Sequence, residues 1–310
     1  MKIDAYTHFF PNKYLTYLRK KTTLPNAFGL ECAAATDIVQ RLRWMDRFSD
    51  LMQILSLPTP NIETLVSPTD AVGLAKIANE ELAEIVAKYP DKFYAAVGCI
   101  PLNDIDAALK EIDHAIKELK MSGIQMFTDI NGEGLDLPKF RPIFAKMASY
   151  DLPIWIHQVF PKNQPLTQGI GDYETFVAMM QLVASGVFLD YPKIKIITHH
   201  CGGIVPIIEG RLRWFDRGIV ERNGVPINII EHLQKFYGDT AVSGSTPALV
   251  CGYSFFGVDH MLFATDAPFG PQPNGLMLET IRSVERMAIP DSEKEKIFER
   301  NIIELLKIAI

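Results

Sequence analysis

The sequence has few cysteines, no long apolar run and no cluster of basic residues. Its four cysteines are spaced too widely for a CxxC site and are too few for a disulfide scaffold. No segment approaches about 18 consecutive apolar residues, and Asp4 and His8 interrupt any signal-peptide core. A net charge of −6 with no basic run longer than residues 19–21 disfavours a nucleic-acid surface. We therefore expect a cytoplasmic protein that binds neither nucleic acid nor membrane.

The 310 residues, 48% of them hydrophobic and 22% charged, suffice for one α/β domain with a large core. Eight short β-rich segments alternate with helical patterns such as residues 69–90. The predicted strands are 2–7, 51–57, 93–100, 123–128, 153–157, 193–200, 235–239 and 261–265. Such alternation indicates a parallel sheet, and eight repeats over this length predict a (β/α)8 TIM barrel in a single domain, residues 1–310. A doubly wound open sheet is the alternative.

The predicted loops are elaborated on one face. Segments that lead from a helix into a strand are short, whereas those that leave strands 1, 5 and 8 are long and span residues 9–35, 158–171 and 267–274. In a barrel this is the C-terminal face, where the chemistry of such folds is located. We therefore expect the functional site there.

Four of the seven histidines fall at the ends of predicted strands, beside a tyrosine and a carboxylate. These residues are Tyr6, His8, His157, His199, His200 and Asp266. Imidazole nitrogens and carboxylates suit Zn²⁺ and similar divalent ions, and catalytic sites use about three protein ligands plus an open position. His8, His157 and Asp266 could supply such a set.

Four segments resemble motifs of the amidohydrolase superfamily, in the branch that contains the aminocarboxymuconate semialdehyde decarboxylases and related metal-dependent decarboxylases. IDAYTHFFP resembles the I-D-x-H-x-H opening, IHQ the strand-five histidine, HHCGGIVPIIEGR the H-x-G-G-x-x-P segment and ATDAPF the T-D-x-P-F end. The resemblance implies that His8, His157 and Asp266 are metal ligands and that His200 and Asp266 are catalytic. Because neighbours on a strand face opposite ways, only one of His199 and His200 is expected to enter the barrel, and His199 is then expected either to support the ligands from behind or to face the helices.

Tyr6 departs from this pattern, because it stands where the family has the first histidine of H-x-H. Three interpretations compete: Tyr6 coordinates as a phenolate, it hydrogen-bonds a metal-bound water or the substrate, or the metal site is weakened or lost. We assign Tyr6 to substrate binding. Strand four, GIQMFT, lacks the bridging lysine of binuclear relatives. The resemblance thus implies at most one divalent metal, with zinc the first choice and manganese the second.

Arg211 matches the arginine that binds the substrate carboxylate in the family. If its helix begins near Ile204, Arg211 lies roughly 10 Å along the axis, away from its own barrel mouth. The resemblance implies that it enters the site of a second subunit, so we predict a homodimer. The alternative is that Arg211 pairs with Glu209 or Asp216 on a solvated helix.

Other side chains near the predicted mouth have open roles. Arg41 and Arg43 resemble a second arginine element of the family, and the sequence does not show which one faces the site. Phe10 and Phe269 could wall an aromatic substrate, or could simply pack loops.

The favoured function is metal-dependent, non-oxidative decarboxylation of a small unsaturated or hydroxylated aromatic carboxylic acid. The alternative is metal-dependent hydrolysis of a cyclic amide or lactone, and the Tyr6 substitution also permits a non-catalytic binding barrel. Retained His157, His200 and Asp266 argue against the last, because polar groups are costly to bury without partners.

Overall fold

The structure is a computed structural model that describes residues 1–22, 30–159, 171–215, 221–222, 224–271 and 275–307. Eight strands form the barrel. They are β1 (Lys2–His8), β2 (Leu51–Ser56), β3 (Phe93–Ala96 with Gly98–Cys99), β4 (Ile124–Phe127), β5 (Ile154–His157), β6 (Ile196–Thr198), β7 (Tyr237–Asp239) and β8 (Met261–Leu262).

Every neighbouring pair from β1 to β8 is parallel. The ring closes between its first and last strands, where Ala5 N donates to Phe263 O at 2.8 Å and His8 N donates to Ala267 O at 2.7 Å. The predicted (β/α)8 barrel is therefore confirmed, and an open sheet is excluded.

Helices surround the ring, and the longest one has an N-terminal capping residue. In the longest one, Ser67 Oγ accepts from Asp70 N at 3.3 Å, and proline occupies the first turn. The helices are α1 (Asn12–Lys21), α2 (Ala33–Thr36), α3 (Ile38–Met45), α4 (Ile62–Leu65), α5 (Pro68–Lys88), α6 (Ile105–Asp113), α7 (Arg141–Tyr150), α8 (Asp172–Ala184), α9 (Val187–Asp190), α10 (Glu209–Phe215), α11 (Ile229–Leu233), α12 (Thr246–Phe256), α13 (Met277–Glu285), α14 (Asp291–Glu295) and α15 (Asn301–Leu306).

Short π and 3-10 segments and two small hairpins complete the fold. The π segments are His114–Glu118 and Lys296–Arg300, and the 3-10 segments are Pro138–Phe140, His200–Gly202 and Val258–His260. The hairpins pair Asp129–Ile130 with Glu133–Gly134, and Glu221–Arg222 with Val225–Pro226.

The barrel interior is apolar in its lower layers and polar at the mouth. A buried cluster gathers inward side chains from seven strands or their ends, with Trp155 and Ile197 among them, and residues of α15. Because side chains two apart share a strand face, the position two after Trp155 is His157 and the position two after Ile197 is His199. The strands thus carry their polar groups to the C-terminal mouth.

Strand β1 contains a β-bulge. Between Asp4 and Thr7 it advances three residues, while β2 advances two, from Gln53 to Leu55. As a result Ala5 and Tyr6 both join the interior cluster. Regular alternation would place Ala5 and Tyr6 on opposite faces of the strand, and the extra residue breaks that alternation.

The elaborated loops are described only in part. The segment after β1 holds α1 and α2, whereas residues 160–170 and 272–274 of the other two predicted loops lie outside the described residues. Among the helices that the structure describes, none is both long and apolar enough to cross a bilayer.

Candidate metal centre and active site

His8 and His157 each present an unprotonated Nε2. The Ser56 hydroxyl donates a hydrogen bond to Thr7 O at 3.0 Å. Because its one proton is used there, Ser56 Oγ accepts from His8 Nδ1, also at 3.0 Å. His157 Nδ1 lies 2.8 Å from Gln158 O, a carbonyl that can only accept. Both Nδ1 atoms therefore carry the proton, which leaves each Nε2 with a free lone pair.

The electrostatic environment keeps both rings neutral. Burial lowers the pKa of His8 more than neighbouring Asp266 raises it. Burial, reinforced by His8 and His199, holds the pKa of His157 well below its usual value. Neutral imidazole is the form that binds metals.

His199 differs from these two, because both of its ring nitrogens face carboxylates. Its Nδ1 hydrogen-bonds Asp239 Oδ2, and its Nε2 lies 3.2 Å from Asp266 Oδ1. Burial opposes the charge of the fully buried ring, yet Asp239 and Asp266 together raise the pKa of His199 to about 10. His199 is therefore an imidazolium ion between two carboxylates.

Asp266 joins the two types of histidine. Its Oδ1 lies 3.1 Å from His8 Nε2 and 3.2 Å from His199 Nε2. Burial raises the pKa of this carboxyl, but the facing His199 side chain outweighs burial and holds it well below the usual value. Its side chain is 22% exposed, so Asp266 is accessible from the mouth.

Of the two alternatives for His199, the one that turns it toward the helices is wrong, and the one that places it behind the metal ligands fits its contact with Asp266. His199 has extended backbone, with φ −73° and ψ 157°, and so continues the inward alternation of Ile197. The chain turns only at His200, whose φ of 53° begins a run of left-handed residues that ends at Gly203. The sequence rule fails here because β6 ends before His200.

His200 lies at the rim of the site rather than inside it. Its Nδ1 donates to Ala241 O at 2.6 Å, and its ring stacks on His199 with centroids 4.0 Å apart. The side chain is partly exposed. His200 is thus the histidine of this group that a molecule entering the mouth meets first.

Tyr6 lies wholly inside the barrel and is held by strand β4. Its hydroxyl donates to Gln125 Oε1 at 3.0 Å, and Gln125 Nε2 donates to Leu57 O at 2.8 Å. Burial, together with Asp239 and Asp266, raises the pKa of Tyr6 well above its usual value. This environment disfavours the phenolate interpretation and leaves a neutral phenol whose ring centroid lies 4.3 Å from that of His199.

The donor set fits a divalent metal. Ligand atoms of His8, His157 and His199 lie within 4.8 Å of one another, as do those of His199, His200 and Asp266. Within the described residues the buried Nε2 of His8 has no hydrogen-bond partner, and Asp266 Oδ1 lies 3.1 Å away. An unprotonated, unpartnered nitrogen aimed at a carboxylate and a second free Nε2 is the arrangement that a cation would complete.

The two candidate arginines of α3 occupy different environments. Arg41 is fully buried behind β1 and donates from Nη2 to the backbone carbonyl of His8, whereas Arg43 is exposed. Neither arrangement offers a free guanidinium inside the mouth.

Arg211 lies outside the site of its own subunit. Helix α10 begins at Glu209, after successive turns at residues 203–208, so Arg211 lies in the first turn rather than far along a helix that starts at Ile204. Glu209 is bound by Arg213 instead, and Asp216 lies outside the described residues. Arg211 is exposed and makes no ion pair within the described part of the chain.

The two aromatic residues proposed for the mouth, Phe10 and Phe269, lie in different environments. The Phe269 ring lies 5.6 Å from the His8 ring and is half-buried at the rim. Phe10 is only 2% exposed and belongs to the main apolar core. Phe269 alone remains a candidate wall for a planar substrate.

The residue that sequence reasoning missed is Asp239, at the end of β7. It hydrogen-bonds His199 and also accepts from Cys201 N at 3.2 Å and Ala241 N at 3.0 Å. The rule that picks out polar residues at strand ends applies to Asp239 as well as to His157. Ser56 and Gln125 carried no such signal, because isolated neutral polar residues in strands are common.

The chain is similar in sequence to a known protein family and to proteins of known activity. The model of the amidohydrolase family, Amidohydro_2, matches residues 3–308. The chain is 29% identical to 6-methylsalicylic acid decarboxylase of Penicillium expansum, over 98% of this chain and 95% of that protein. It is 30% identical to gamma-resorcylate decarboxylase of Rhizobium sp. (strain MTP-10005), over 74% and 76% of the two chains.

A solved structure agrees along nearly the whole chain. Dihydroxybenzoic acid decarboxylase of Polaromonas sp. JS666, with bound manganese and the inhibitor 2-nitroresorcinol, superposes with a TM-score of 0.80 at 25% identity, covering 99% of this chain and 96% of that one. The family resemblance inferred from the four motifs is confirmed.

Proposed function

Because the chain belongs to the amidohydrolase family, we propose that it is a metal-dependent, non-oxidative decarboxylase of a hydroxylated aromatic carboxylic acid. The observation that carries the proposal is the pair of free Nε2 lone pairs on His8 and His157, whose ring centroids lie 4.9 Å apart, with the Asp266 carboxylate 3.1 Å from His8 Nε2. The similar proteins of known activity are decarboxylases of this substrate type.

We assign the metal to His8, His157 and Asp266. A divalent ion bound there would supply positive charge that orients a substrate carboxylate and withdraws electron density from the bond to be broken. Manganese is the ion bound to the similar Polaromonas enzyme, and we place it ahead of zinc for that reason. We leave His199 out of the ligand set because both of its ring nitrogens already face carboxylates.

The reaction requires one proton and releases carbon dioxide. The bond between the ring carbon and the carboxylate breaks, and its electron pair forms a new bond from that carbon to a proton. His200 supplies the proton, because it is partly exposed while His199 is sealed behind it. The buried His199 acts through Asp239 and Asp266, whose negative charge it compensates.

The substrate ring would lie against Phe269. This side chain is half-buried at the rim and packs beside His8, so a planar ring could stack on it while its carboxylate meets the metal ligands. The Tyr6 hydroxyl is committed to Gln125, so Tyr6 can contact a bound molecule only as an acceptor or through its ring.

A homodimer would complete the site through Arg211. The segment around this exposed arginine carries unusually exposed apolar side chains: Ile207 is 72% exposed, Trp214 61% and Phe215 46%. Such a face is typical of an interface between subunits. Arg211 would then bind the substrate carboxylate in the partner subunit. We place the enzyme in the cytoplasm, because all four cysteines are free thiols.

The test is turnover with Mn²⁺ and a panel of 2-hydroxybenzoates, including 6-methylsalicylate and gamma-resorcylate, in ¹⁸O-labelled water. We expect one CO2 and one phenol per substrate consumed, with no solvent oxygen in the phenol. The H157Q variant, which lacks one metal ligand, is the matched control. A ring-opened product that carries ¹⁸O, without CO2, would instead establish hydrolysis.

A further inference from the structure

Arg41 is the largest buried charged side chain of the molecule's described part, and its guanidinium is hydrogen-bonded within the protein. Its Nε donates to Ala34 O at 2.9 Å and its Nη1 donates to Gln53 Oε1 at 2.8 Å. Its Nη2 donates to the backbone carbonyl of His8. Each of the three guanidinium nitrogens therefore has an acceptor within the chain.

The hydrogen bonds continue from Arg41 to the other side of the site. Gln53 Nε2 donates to Asp4 Oδ2 at 3.2 Å. Thr265 donates to the same carboxylate twice, from its backbone nitrogen at 2.8 Å and from its hydroxyl. Thr265 directly precedes Asp266. One buried network thus joins the backbone of His8 to the residue before Asp266.

This connection has a mechanical consequence. His8 ends the first strand of the ring and Asp266 follows the last strand, and their functional atoms lie 3.1 Å apart. A planar guanidinium offers several fixed donors, which a flexible ammonium cannot reproduce. Arg41 is therefore suited to fix the backbone that carries His8.

We propose that Arg41 is a positioning residue, which holds His8 in its metal-binding orientation and makes no contact with substrate. This rests on the proposed function in one respect, the assignment of the metal to His8. It differs from a role facing the site, which the family resemblance left open for Arg41 and Arg43.

The test is titration of the metal-free protein with Mn²⁺, followed by the electron paramagnetic resonance signal of free Mn²⁺. The variants are R41M and R41K, and R43M is the matched control because Arg43 is exposed two residues away on the same helix. We expect Mn²⁺ affinity to fall about 10- to 100-fold in R41M and by a smaller factor in R41K, with R43M within about twofold of wild type.

Two results would overturn the proposal. One is unchanged Mn²⁺ affinity in R41K, a variant that keeps the charge and tests the idea even if R41M does not fold. The other is a raised KM for the carboxylic acid in either Arg41 variant, with no change in its Mn²⁺ affinity. If wild type binds no Mn²⁺, the proposed function fails. The positioning role is then tested by crystal structures of metal-free wild type and R41K: a displaced His8 backbone in R41K supports it, and an unmoved one refutes it.

Discussion

His8 and His157 on one side of the site, and His199 on the other, differ in what faces their ring nitrogens. A hydroxyl and a carbonyl hold the Nδ1 protons of the first two and leave each Nε2 free, whereas two carboxylates hold His199. Three buried imidazoles within one group thus divide into two neutral ligands and one cation. The partners of a histidine, rather than its depth, decide its chemistry.

The largest effect is expected from removing a ligand on the neutral side. In H157Q, we expect Mn²⁺ affinity to fall more than about 100-fold, beyond the usual effect of an outer partner, and decarboxylation to fall with it. Isothermal titration with Mn²⁺ gives the affinity. Full retention of binding would move the metal away from His157.

At the rim, the H200Q variant separates proton delivery from metal binding. We expect kcat to fall about 10²- to 10⁴-fold, because a glutamine cannot supply the proton. Mn²⁺ affinity should stay close to that of wild type, since His200 is outside the proposed ligand set. Parallel loss of metal binding would instead make His200 a ligand.

The cationic side is tested with D239N. The stability that protonated His199 contributes to the metal-free protein is fully present below about pH 6.5 and is lost as pH rises through about 10. Without the Asp239 charge, the pKa of folded His199 is lower, so we expect this loss to be smaller and to end at lower pH. Melting temperatures of both proteins in EDTA between pH 6 and 10.5 give the comparison, and identical curves would contradict the imidazolium assignment.

Loss of the acceptor for Nδ1 of His8 should have a smaller effect. In S56A we expect Mn²⁺ affinity to fall about tenfold, because the ring loses the partner that selects its tautomer. The exposed Ser149 supplies a matched control in S149A. An S56A affinity equal to that of S149A would show that the tautomer is fixed by other means.

The smallest effect is expected at Tyr6. Y6F loses one hydrogen bond to Gln125, which should lower the free energy of unfolding by about 1 kcal/mol and leave Mn²⁺ affinity nearly unchanged. Chemical denaturation and Mn²⁺ titration measure the two quantities. A tenfold loss of affinity would restore the phenolate-ligand interpretation.

The fold and the strand-end residues could be predicted from the sequence because strand–helix alternation and side-chain periodicity are local properties. His8, His157 and Asp266 were found in this way, and His8 lies beside each of the other two. The orientation of His199 and His200 could not be predicted, because it depends on where β6 ends and on the left-handed φ of His200. The network from Arg41 to Asp4 also depends on contacts between distant segments.

Anomalous diffraction at the manganese edge, from crystals loaded with Mn²⁺, tests the division of the site most directly. We expect a single peak that contacts Nε2 of His8, Nε2 of His157 and the Asp266 carboxylate, with His199 still bound to Asp239 and not to the metal. A peak ligated by His199, or one seated between His199 and His200, would contradict the assignment of one cationic and two neutral histidines.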